Sequence, residues 1–285
     1  MSDLNFPPLE SGVMFWAGRD PAETIAELKG MDFRCGQLAI PGDLDLSCAV
    51  EWREALRAAD FTVYTVFATF SGESYADIPT VRDTVGFIPP ATRAEREKRT
   101  CDVSDFAAVL GAPAIATHIG CVPHDGGDEA HVAVREMVRR ICDHAAARGQ
   151  KFALETGQES AAVLLDFILG VNRENLGINF DPANMILYGT GDPIEALGLL
   201  APHVMSVHAK DGDWPPAGQP DALGTERTLG EGSVGMERFL RQLIHIGYQG
   251  PVAIEREAQD PAERIRDLAT GLELLAGLKQ SILKG

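Results

Sequence analysis

The chain lacks the long apolar runs and paired cysteines that mark several large classes of protein. No apolar run in its 285 residues reaches the roughly 18 residues that a helix needs to cross a bilayer, so we expect no membrane partner. Its first residues lack the basic region and apolar core of a signal peptide. Its 5 cysteines form no CxxC pair, and an odd number cannot all pair with one another. Reduced thiols and a cytoplasmic location are therefore expected.

Positive charge is scarce as well. The 25 lysines and arginines are outnumbered by 42 aspartates and glutamates, which gives a net charge of −17. A surface of this sign repels a phosphate backbone, so we expect no nucleic-acid partner. Hydrophobic residues make up 45% of the chain, an ordinary share for a globular protein with a sizeable core.

Short apolar segments alternate with amphipathic ones from one end of the chain to the other. The apolar segments are rich in β-branched residues, as is typical of parallel strands buried on both faces. Several amphipathic segments open on an Asp-Pro pair, which is typical of a helix N-cap followed by proline in the first turn. The predicted strands are 13–17, 34–40, 61–69, 114–119, 151–156, 177–181, 204–209 and 251–255. The predicted helices are 21–28, 49–59, 91–110, 129–148, 160–169, 193–200, 236–246 and 261–278.

Eight strand–helix repeats without a break in composition predict an α/β fold, a single (β/α)8 TIM barrel domain over residues 1–285. A doubly wound open sheet is the alternative, and the absence of a Gly-rich GxGxxG turn after the first strand argues against it. Two long segments, 71–90 and 212–233, follow the carboxyl ends of strands three and seven. Active sites lie on that face of a barrel, and we expect both segments to be lids.

Polar side chains end the last four predicted strands. These are Glu155, Asp181, His208 and Glu255, in strands five to eight. Consecutive barrel strands lie side by side, so these groups should converge at one rim, where a divalent cation with mostly oxygen ligands would fit them. A residue of this kind taken alone is more often solvated, or an ion-pair partner of a neighbouring Lys or Arg, than a metal ligand. Glu257, two residues beyond Glu255, is the rival for the fourth ligand.

Four segments in the second half of the chain resemble a known superfamily. They are ALETGQES (153–160), LGINFDPANMILYGTGDP (176–193), VHAKDGD (207–213) and LGEGSVGMERFLRQLIHIGYQGPVAIERE (229–257). Together they resemble the xylose isomerase-like barrel superfamily, in its sugar phosphate isomerase/epimerase branch of ketose 3-epimerases and inosose dehydratases. The resemblance implies one divalent metal ion, with Mn²⁺ favoured and Mg²⁺, Co²⁺ or Zn²⁺ as alternatives. It implies a homodimer or homotetramer, and the ligands Glu155, Asp181, His208 and Glu255.

One position departs from the pattern of this superfamily. Its barrels often have histidine three residues after the aspartate of strand six, where this chain has Asn184. Its apurinic endonucleases need several additional histidines for a three-zinc cluster, and this chain has only 7 histidines in all. Together with the negative charge, this argues against a nuclease.

Further candidates surround the predicted metal site. We expect four side chains to bind substrate, although His118 and Gln158 read equally as structural residues. We expect three others to support the site from behind; for Lys210 and Asp211 the alternative is an ion pair with each other or with the lid. The predicted substrate-binding residues are His118, Gln158, Lys210 and Arg227, and the supporting residues are Asn184, Asp211 and Glu257.

These parts predict a sugar isomerase or epimerase of carbohydrate metabolism. A metal on the substrate carbonyl would stabilise an enediolate, and Glu155 and Glu255 would remove and return a proton as catalytic bases. A dehydratase (a lyase) using the same site is the alternative, and a non-catalytic sugar- or metal-binding barrel is the second. Because no P-loop is present, we expect a free sugar or polyol-derived ketone as substrate. Lys210 and Arg227 keep a phosphorylated substrate open.

Overall fold

Eight parallel strands close into a barrel, which confirms the predicted fold. The computed structural model describes residues 6–219 and 221–284. In chain order the strands are β1 (Ser11–Trp16), β2 (Cys35–Ile40), β3 (Thr62–Ala68), β4 (Ala114–Thr117), β5 (Lys151–Glu155), β6 (Leu176–Phe180), β7 (Val204–Ala209), β8 (Asp211–Asp213), β9 (Thr225–Arg227) and β10 (Val252–Ile254). The barrel order is β1-β10-β7-β6-β5-β4-β3-β2, whereas β8 and β9 pair as an antiparallel hairpin.

Helices cover the outside of the barrel. Within the described residues they are α1 (Pro21–Gly30), α2 (Ala49–Ala58), α3 (Ile78–Thr84), α4 (Arg93–Leu110), α5 (Glu129–Ala146), α6 (Ala161–Val171), α7 (Pro182–Leu187), α8 (Pro193–Leu200), α9 (Met236–His245) and α10 (Pro261–Lys284). Predicted Asp-Pro caps form, since Asp20 accepts from a backbone N–H of α1 and Asp192 from two of α8. In the part of the chain that the structure describes, no helix has both the length and the apolar content to cross a membrane.

The strands are buried on both faces, as their composition predicts. Every residue of β2 is buried, because one face of the strand looks into the barrel and the other against helices. The barrel also holds polar side chains. On the described barrel strands, the polar side chains with no exposure at all are Gln37, Thr65, Asn179, Ser206 and His208. Buried polar groups are stable only when hydrogen bonds or ions satisfy them, so this group points to a site.

The two long segments contain structure that the periodicity did not predict. Helix α3 lies in the first, where Asp77 caps it by accepting from the Thr80 N–H at 2.8 Å. The second contains the β8–β9 hairpin. The segments meet where the Ile78 N–H donates to the Asp221 carbonyl at 3.0 Å. Helix α3 has 7 residues and β8 and β9 have 3 each, which is too short to produce a recognisable hydrophobic period, so both segments were predicted as loops.

Helix α7 was also missed, although its signal was present. Asp181 and Pro182 form the same Asp-Pro pair that opens α1 and α8, and Asp181 is the N-cap. Five of the six residues of α7 are buried, so it has no amphipathic period to detect. The consequence is functional, because the predicted ligand Asp181 is held at the start of a helix rather than in a free loop.

Candidate metal centre and substrate cavity

The four side chains predicted as metal ligands converge at the carboxyl end of the barrel. Glu155, Asp181, His208 and Glu255 each offer an atom, and these atoms all lie within 4.8 Å of one another. The Nδ1 atom of His208 lies 3.0 Å from Glu155 Oε1, 3.0 Å from Glu255 Oε2 and 3.4 Å from Asp181 Oδ2. Three carboxylates around one imidazole nitrogen form a cation-binding arrangement.

Buried atoms without hydrogen bonds test whether a cation fits this cluster. Asp181 Oδ2, His208 Nδ1 and Glu255 Oε2 are buried and have no hydrogen-bond partner within the described residues. Desolvated carboxylates held this close repel one another unless a positive charge lies between them. Oxygen donors with one imidazole suit a divalent cation such as Mn²⁺ or Mg²⁺. The residues therefore fit the predicted ion.

Protonation of His208 also places a positive charge among the carboxylates. Burial opposes charge on the imidazole, but the neighbouring Glu255 and Glu155 carboxylates outweigh it and raise the pKa of His208 well above its ordinary value. Metal binding and protonation of Nδ1 then exclude each other.

Local structure fixes Asp181. Its Oδ1 atom accepts from the Asn184 N–H at 2.9 Å, as the N-cap of α7, which leaves Oδ2 for the cluster. The Thr156 hydroxyl ties its backbone to the end of β5, accepting from the Asp181 N–H at 2.8 Å and donating to the Asp181 carbonyl at 2.9 Å. Thr156 was not predicted, and its place directly after Glu155 was the available signal.

Glu155 is held by two predicted residues. His118 Nε2 lies 3.0 Å from Glu155 Oε2, and Asn184 Nδ2 donates to Glu155 Oε1 at 3.4 Å. Burial disfavours charge on His118, but the Glu155 carboxylate outweighs burial and raises the pKa of His118 to about 9. Burial likewise opposes charge on Glu155, and His118 and His208 together hold the pKa of Glu155 below its ordinary value. Gln158 contacts His118 Nδ1 at 3.1 Å, so it lies behind this pair.

The turn that follows Glu155 requires glycine. Gly157 has a φ of +153°, and a Cβ there would lie 2.9 Å from the Cβ of Asn184. Any side chain at this position would force Asn184 and Tyr188 to shift.

Lys210 brings a buried ammonium group beside Glu255. Its Nζ lies 2.6 Å from Glu257 Oε1 and 3.3 Å from Glu255 Oε2, and the side chain is only 3% exposed. Burial opposes its charge, but Glu255 and Glu257 outweigh that effect and raise the pKa of Lys210 well above its ordinary value. Glu257 is 61% exposed and outside the cluster, so the structure places Glu255, and not its rival, among the four.

Two predicted residues lie away from the cluster. The Asp211 carboxylate accepts from the backbone N–H groups of Gly212, Gly230 and Val234 at 2.9, 3.0 and 3.1 Å. These contacts hold the loop before α9, and among the described residues Asp211 is not one of the four predicted metal ligands that converge. Arg227 is half exposed on β9, and its Nε donates to Asp213 at 2.7 Å. The hairpin turns the guanidinium of Arg227 towards Asp213, and Arg227 is not among the described residues that line the cavity, so its contact with substrate stays a prediction.

A cavity of about 480 Å³ opens above the cluster. Glu155, Glu255, Asn184, His118 and Lys210 line its floor, and the two long segments line its mouth. Much of the wall is apolar or aromatic, as in many small-molecule sites. That wall consists of Met14, Trp16, Phe67, Phe70, Tyr75, Leu187, Tyr188 and Leu223.

Several lining residues were not predicted. Glu73 lies in the first long segment, and its carboxylate accepts from the Gly86 N–H at 2.7 Å. Glu226 lies on β9 and accepts from the Glu257 N–H at 3.0 Å. Arg256 pairs with Glu226 at 2.8 Å and with Asp267 of α10 at 2.7 Å, which anchors the hairpin. Neither Glu73 nor Glu226 ends a predicted apolar strand, so no local signal in the sequence marks them as cavity residues.

The chain matches a known protein family over most of its length. A model of the xylose isomerase-like TIM barrel family matches residues 25–277. A comparison with curated protein sequences found no match.

Solved structures resemble the chain at two levels. A xylose isomerase domain protein from Planctomyces limnophilus is 44% identical, with 98% of this chain and 100% of that chain covered and a TM-score of 0.92. D-allulose 3-epimerase from Methylomonas sp., in complex with D-allulose, is 17% identical over 95% and 98% of the two chains, with a TM-score of 0.70. The probable 3-DHS dehydratase AsbF from Bacillus anthracis is 14% identical over 93% and 98%, with a TM-score of 0.68. The last two share the fold alone.

Proposed function

This chain belongs to the xylose isomerase-like TIM barrel family, and on that premise we propose that it is a divalent-metal-dependent isomerase or epimerase of an uncharged sugar. The observation that carries the proposal is the convergence of Glu155, Asp181, His208 and Glu255 below a cavity. The reaction is the removal and return of a proton on the carbon next to a carbonyl. When bound, a divalent cation supplies Lewis-acid stabilisation for the negative charge that develops on substrate oxygens.

The protein's own proton-transfer groups are the two glutamates. Glu155 and Glu255 lie on either side of His208, each 3.0 Å from its Nδ1, and both line the cavity floor. One carboxylate removes the proton from one face of the substrate carbon, and the other returns a proton to the opposite face. His118 orients Glu155 from behind, and Lys210 places a positive charge beside Glu255. Asp181 and His208 serve as ligands only.

The charge of the cavity favours an uncharged substrate. Besides the two proposed bases, Glu73, Glu226 and Glu257 line it. The ammonium of Lys210 is already paired with Glu257 at 2.6 Å. A phosphate or carboxylate on the substrate would therefore meet like charges, since Lys210 and His118, the basic side chains among the described lining residues, are already paired with Glu257 and Glu155.

The apolar side of the cavity suits the faces of a sugar ring or chain. Trp16 and Tyr75 are 52% and 42% exposed, and both line the mouth. Aromatic faces pack against the C–H surfaces of a sugar while the hydroxyls turn to the polar floor. The comparison structure of D-allulose 3-epimerase holds a free ketose, and a ligand of that class supports this assignment.

A dehydratase is the second candidate, because a probable dehydratase shares this fold. It would use the same proton abstraction and then expel a β-hydroxyl group instead of reprotonating carbon. His118, which lines the cavity and is paired with Glu155 at 3.0 Å, would be a proton donor for the departing hydroxyl.

One experiment separates these candidates. Protein loaded with Mn²⁺ is incubated in deuterated water with a panel of ketoses, inososes and 3-keto sugars, and the products are read by NMR and mass spectrometry. An isomerase or epimerase incorporates deuterium at carbon and retains all the oxygens of the substrate. A dehydratase loses one water. Binding of a sugar with neither exchange nor loss of water on any substrate of the panel would contradict the proposal and support a non-catalytic binding barrel.

A further inference from the structure

A buried polar network lies behind His208, on the side away from the carboxylates. Gln37 of β2, Asn179 of β6 and Ser206 of β7 have no exposure. Gln37 comes from across the barrel, because β1 and β10 lie between β2 and β7 in the barrel order. A glutamine in an otherwise apolar strand is costly unless its amide is hydrogen-bonded, so its partners are informative.

The hydrogen bonds of this network fix the direction of each amide. Ser206 Oγ donates to Asn179 Oδ1 at 2.5 Å, and Gln37 Nε2 donates to the same oxygen at 3.1 Å. With its nitrogen engaged by Asn179, Gln37 presents Oε1 to the imidazole, 2.9 Å from His208 Nε2. A carbonyl oxygen only accepts, so this contact requires a proton on Nε2.

The consequence reaches the metal side of the ring. A neutral imidazole carries one N–H, and with that hydrogen on Nε2 the lone pair of Nδ1 points at the three carboxylates. We propose that Gln37 is a positioning residue that holds His208 in the Nε2–H tautomer and so presents Nδ1 as a metal ligand. The inference rests on the metal role in the proposed function.

Asn179 competes with Gln37 for His208 Nε2, and the two contacts favour different tautomers of the ring. Its Nδ2 lies 3.2 Å from the same His208 Nε2 and would donate to that nitrogen if the ring hydrogen moved to Nδ1. In that second tautomer the Nδ1–H would point at the carboxylates and block the ligand position. Gln37 therefore stabilises the tautomer that binds metal, and removing its oxygen leaves Asn179 to stabilise the other.

Two substitutions and a matched control test the proposal by calorimetric titration with Mn²⁺. Gln37→Met keeps the volume and loses the acceptor, and we expect the Mn²⁺ dissociation constant to rise about 10–100-fold, the usual effect of losing such an outer partner. Gln37→Glu keeps an oxygen that can accept from His208 Nε2, and this variant should bind Mn²⁺ about as tightly as the natural chain or more tightly. Thr65→Val is the control, because the Thr65 hydroxyl is buried in the same barrel without a hydrogen-bond partner in the described part of the chain.

The natural chain gives a direct spectroscopic reading that needs no variant. With ¹⁵N-labelled histidine and saturating Mg²⁺, long-range ¹H–¹⁵N spectra should show His208 protonated at Nε2 and unprotonated at Nδ1. A hydrogen on Nδ1 in the metal-loaded protein would overturn the proposal. So would a folded Gln37→Met variant with the Mn²⁺ affinity of the natural chain, or equal weakening in Gln37→Met and Gln37→Glu.

Failure of the proposed function gives a different result. If the natural chain bound no Mn²⁺ at all, the metal role itself would be wrong. If it bound Mn²⁺ and exchanged substrate protons while Gln37→Met did the same at equal metal affinity, only the role of Gln37 would be lost.

Discussion

The two halves of the barrel contribute different chemistry to one cavity. The ends of β5, β6, β7 and β10 supply the four converging charged groups, whereas β1 and β3 supply apolar wall such as Trp16 and Phe67. The strands of the charged half are neighbours in the barrel, which lets their carboxylates share one cation. If the charged half carries out the reaction and the apolar half binds the sugar, substitutions in the two halves should change different measured quantities.

The largest effect is expected from the two proposed bases in the charged half. Glu155→Gln and Glu255→Gln retain an oxygen donor but lose the basic carboxylate, so each should retain some metal and lose about 10²–10⁴ in turnover. Metal content and solvent-deuterium exchange are measured side by side.

Asp181→Asn and His208→Asn are the controls for this measurement. Their activity should fall in step with metal occupancy, and excess metal should restore part of it. The two-base mechanism is wrong if both glutamine variants bind metal and exchange the substrate proton at the rate of the natural chain.

The charged half also contains a buried carboxylate outside the cluster, Glu159, which should affect the pH dependence of stability. Glu159 Oε1 accepts from the Val122 N–H at 2.7 Å, and burial raises the pKa of Glu159 from 4.5 to about 8. Between those values the folded protein binds more protons than the unfolded chain, so the free energy of unfolding falls as pH rises. Between pH 5 and 8 the free energy of unfolding of Glu159→Gln should therefore fall less than that of the natural chain, by on the order of 2–4 kcal/mol. The measurement is urea unfolding across this pH range.

The control for the pH series is an exposed glutamate. Glu54 is 69% exposed on α2, and Glu54→Gln should follow the stability curve of the natural chain. If the Glu159→Gln curve keeps the slope of the natural chain, Glu159 is ionised in the folded state and the assignment of its raised pKa fails.

Metal binding should stabilise the fold through the charged half alone. Mn²⁺ at a concentration 100 times its dissociation constant should add about 2.7 kcal/mol to the free energy of unfolding and raise Tm by several degrees. Asp181→Asn should make the shift much smaller at the same Mn²⁺ concentration, because asparagine still caps α7 but is a weaker ligand. The measurement is calorimetric melting with and without Mn²⁺.

Trp16→Ala is the comparison variant from the apolar half, and it should keep the full shift in Tm. A shift that persists in full in Asp181→Asn would show that the ion binds elsewhere.

The smallest effect is expected at the apolar wall. Trp16→Ala should raise KM for the sugar about three- to tenfold, the worth of one aromatic contact, and leave kcat and Mn²⁺ affinity unchanged. Trp214→Ala is the matched control, since Trp214 is 45% exposed but does not line the cavity. Equal KM values for the two variants would mean that β1 takes no part in recognition.

Prediction from sequence succeeded where the signal was local. Apolar runs and Asp-Pro caps repeat within about thirty residues, which is enough to place strands, most helices and the closed barrel. The polar residues Glu155, Asp181, His208 and Glu255 stood out because each ends an apolar strand. Helix α7 was missed because nearly all of it is buried and has no period, although Asp181-Pro182 marked its start.

The sequence did not show which partners the side chains around the site take. The β8–β9 pairing places the Arg227 Nε 2.7 Å from Asp213, and the predicted contact of Arg227 with substrate stays untested. The Asp211 carboxylate accepts from the backbone N–H groups of Gly212, Gly230 and Val234, and its predicted supporting role also stays a prediction.

The sequence by itself determined the barrel and which strand ends carry charge, because parallel strands of one barrel must present their carboxyl ends on one face. Only the tertiary structure decided the contacts across that face. Gln37 and His208 are 171 residues apart and meet inside the barrel, and Ile78 and Asp221 join the two long segments at its mouth. Such contacts depend on the closure of the whole ring, and no short stretch of sequence records them.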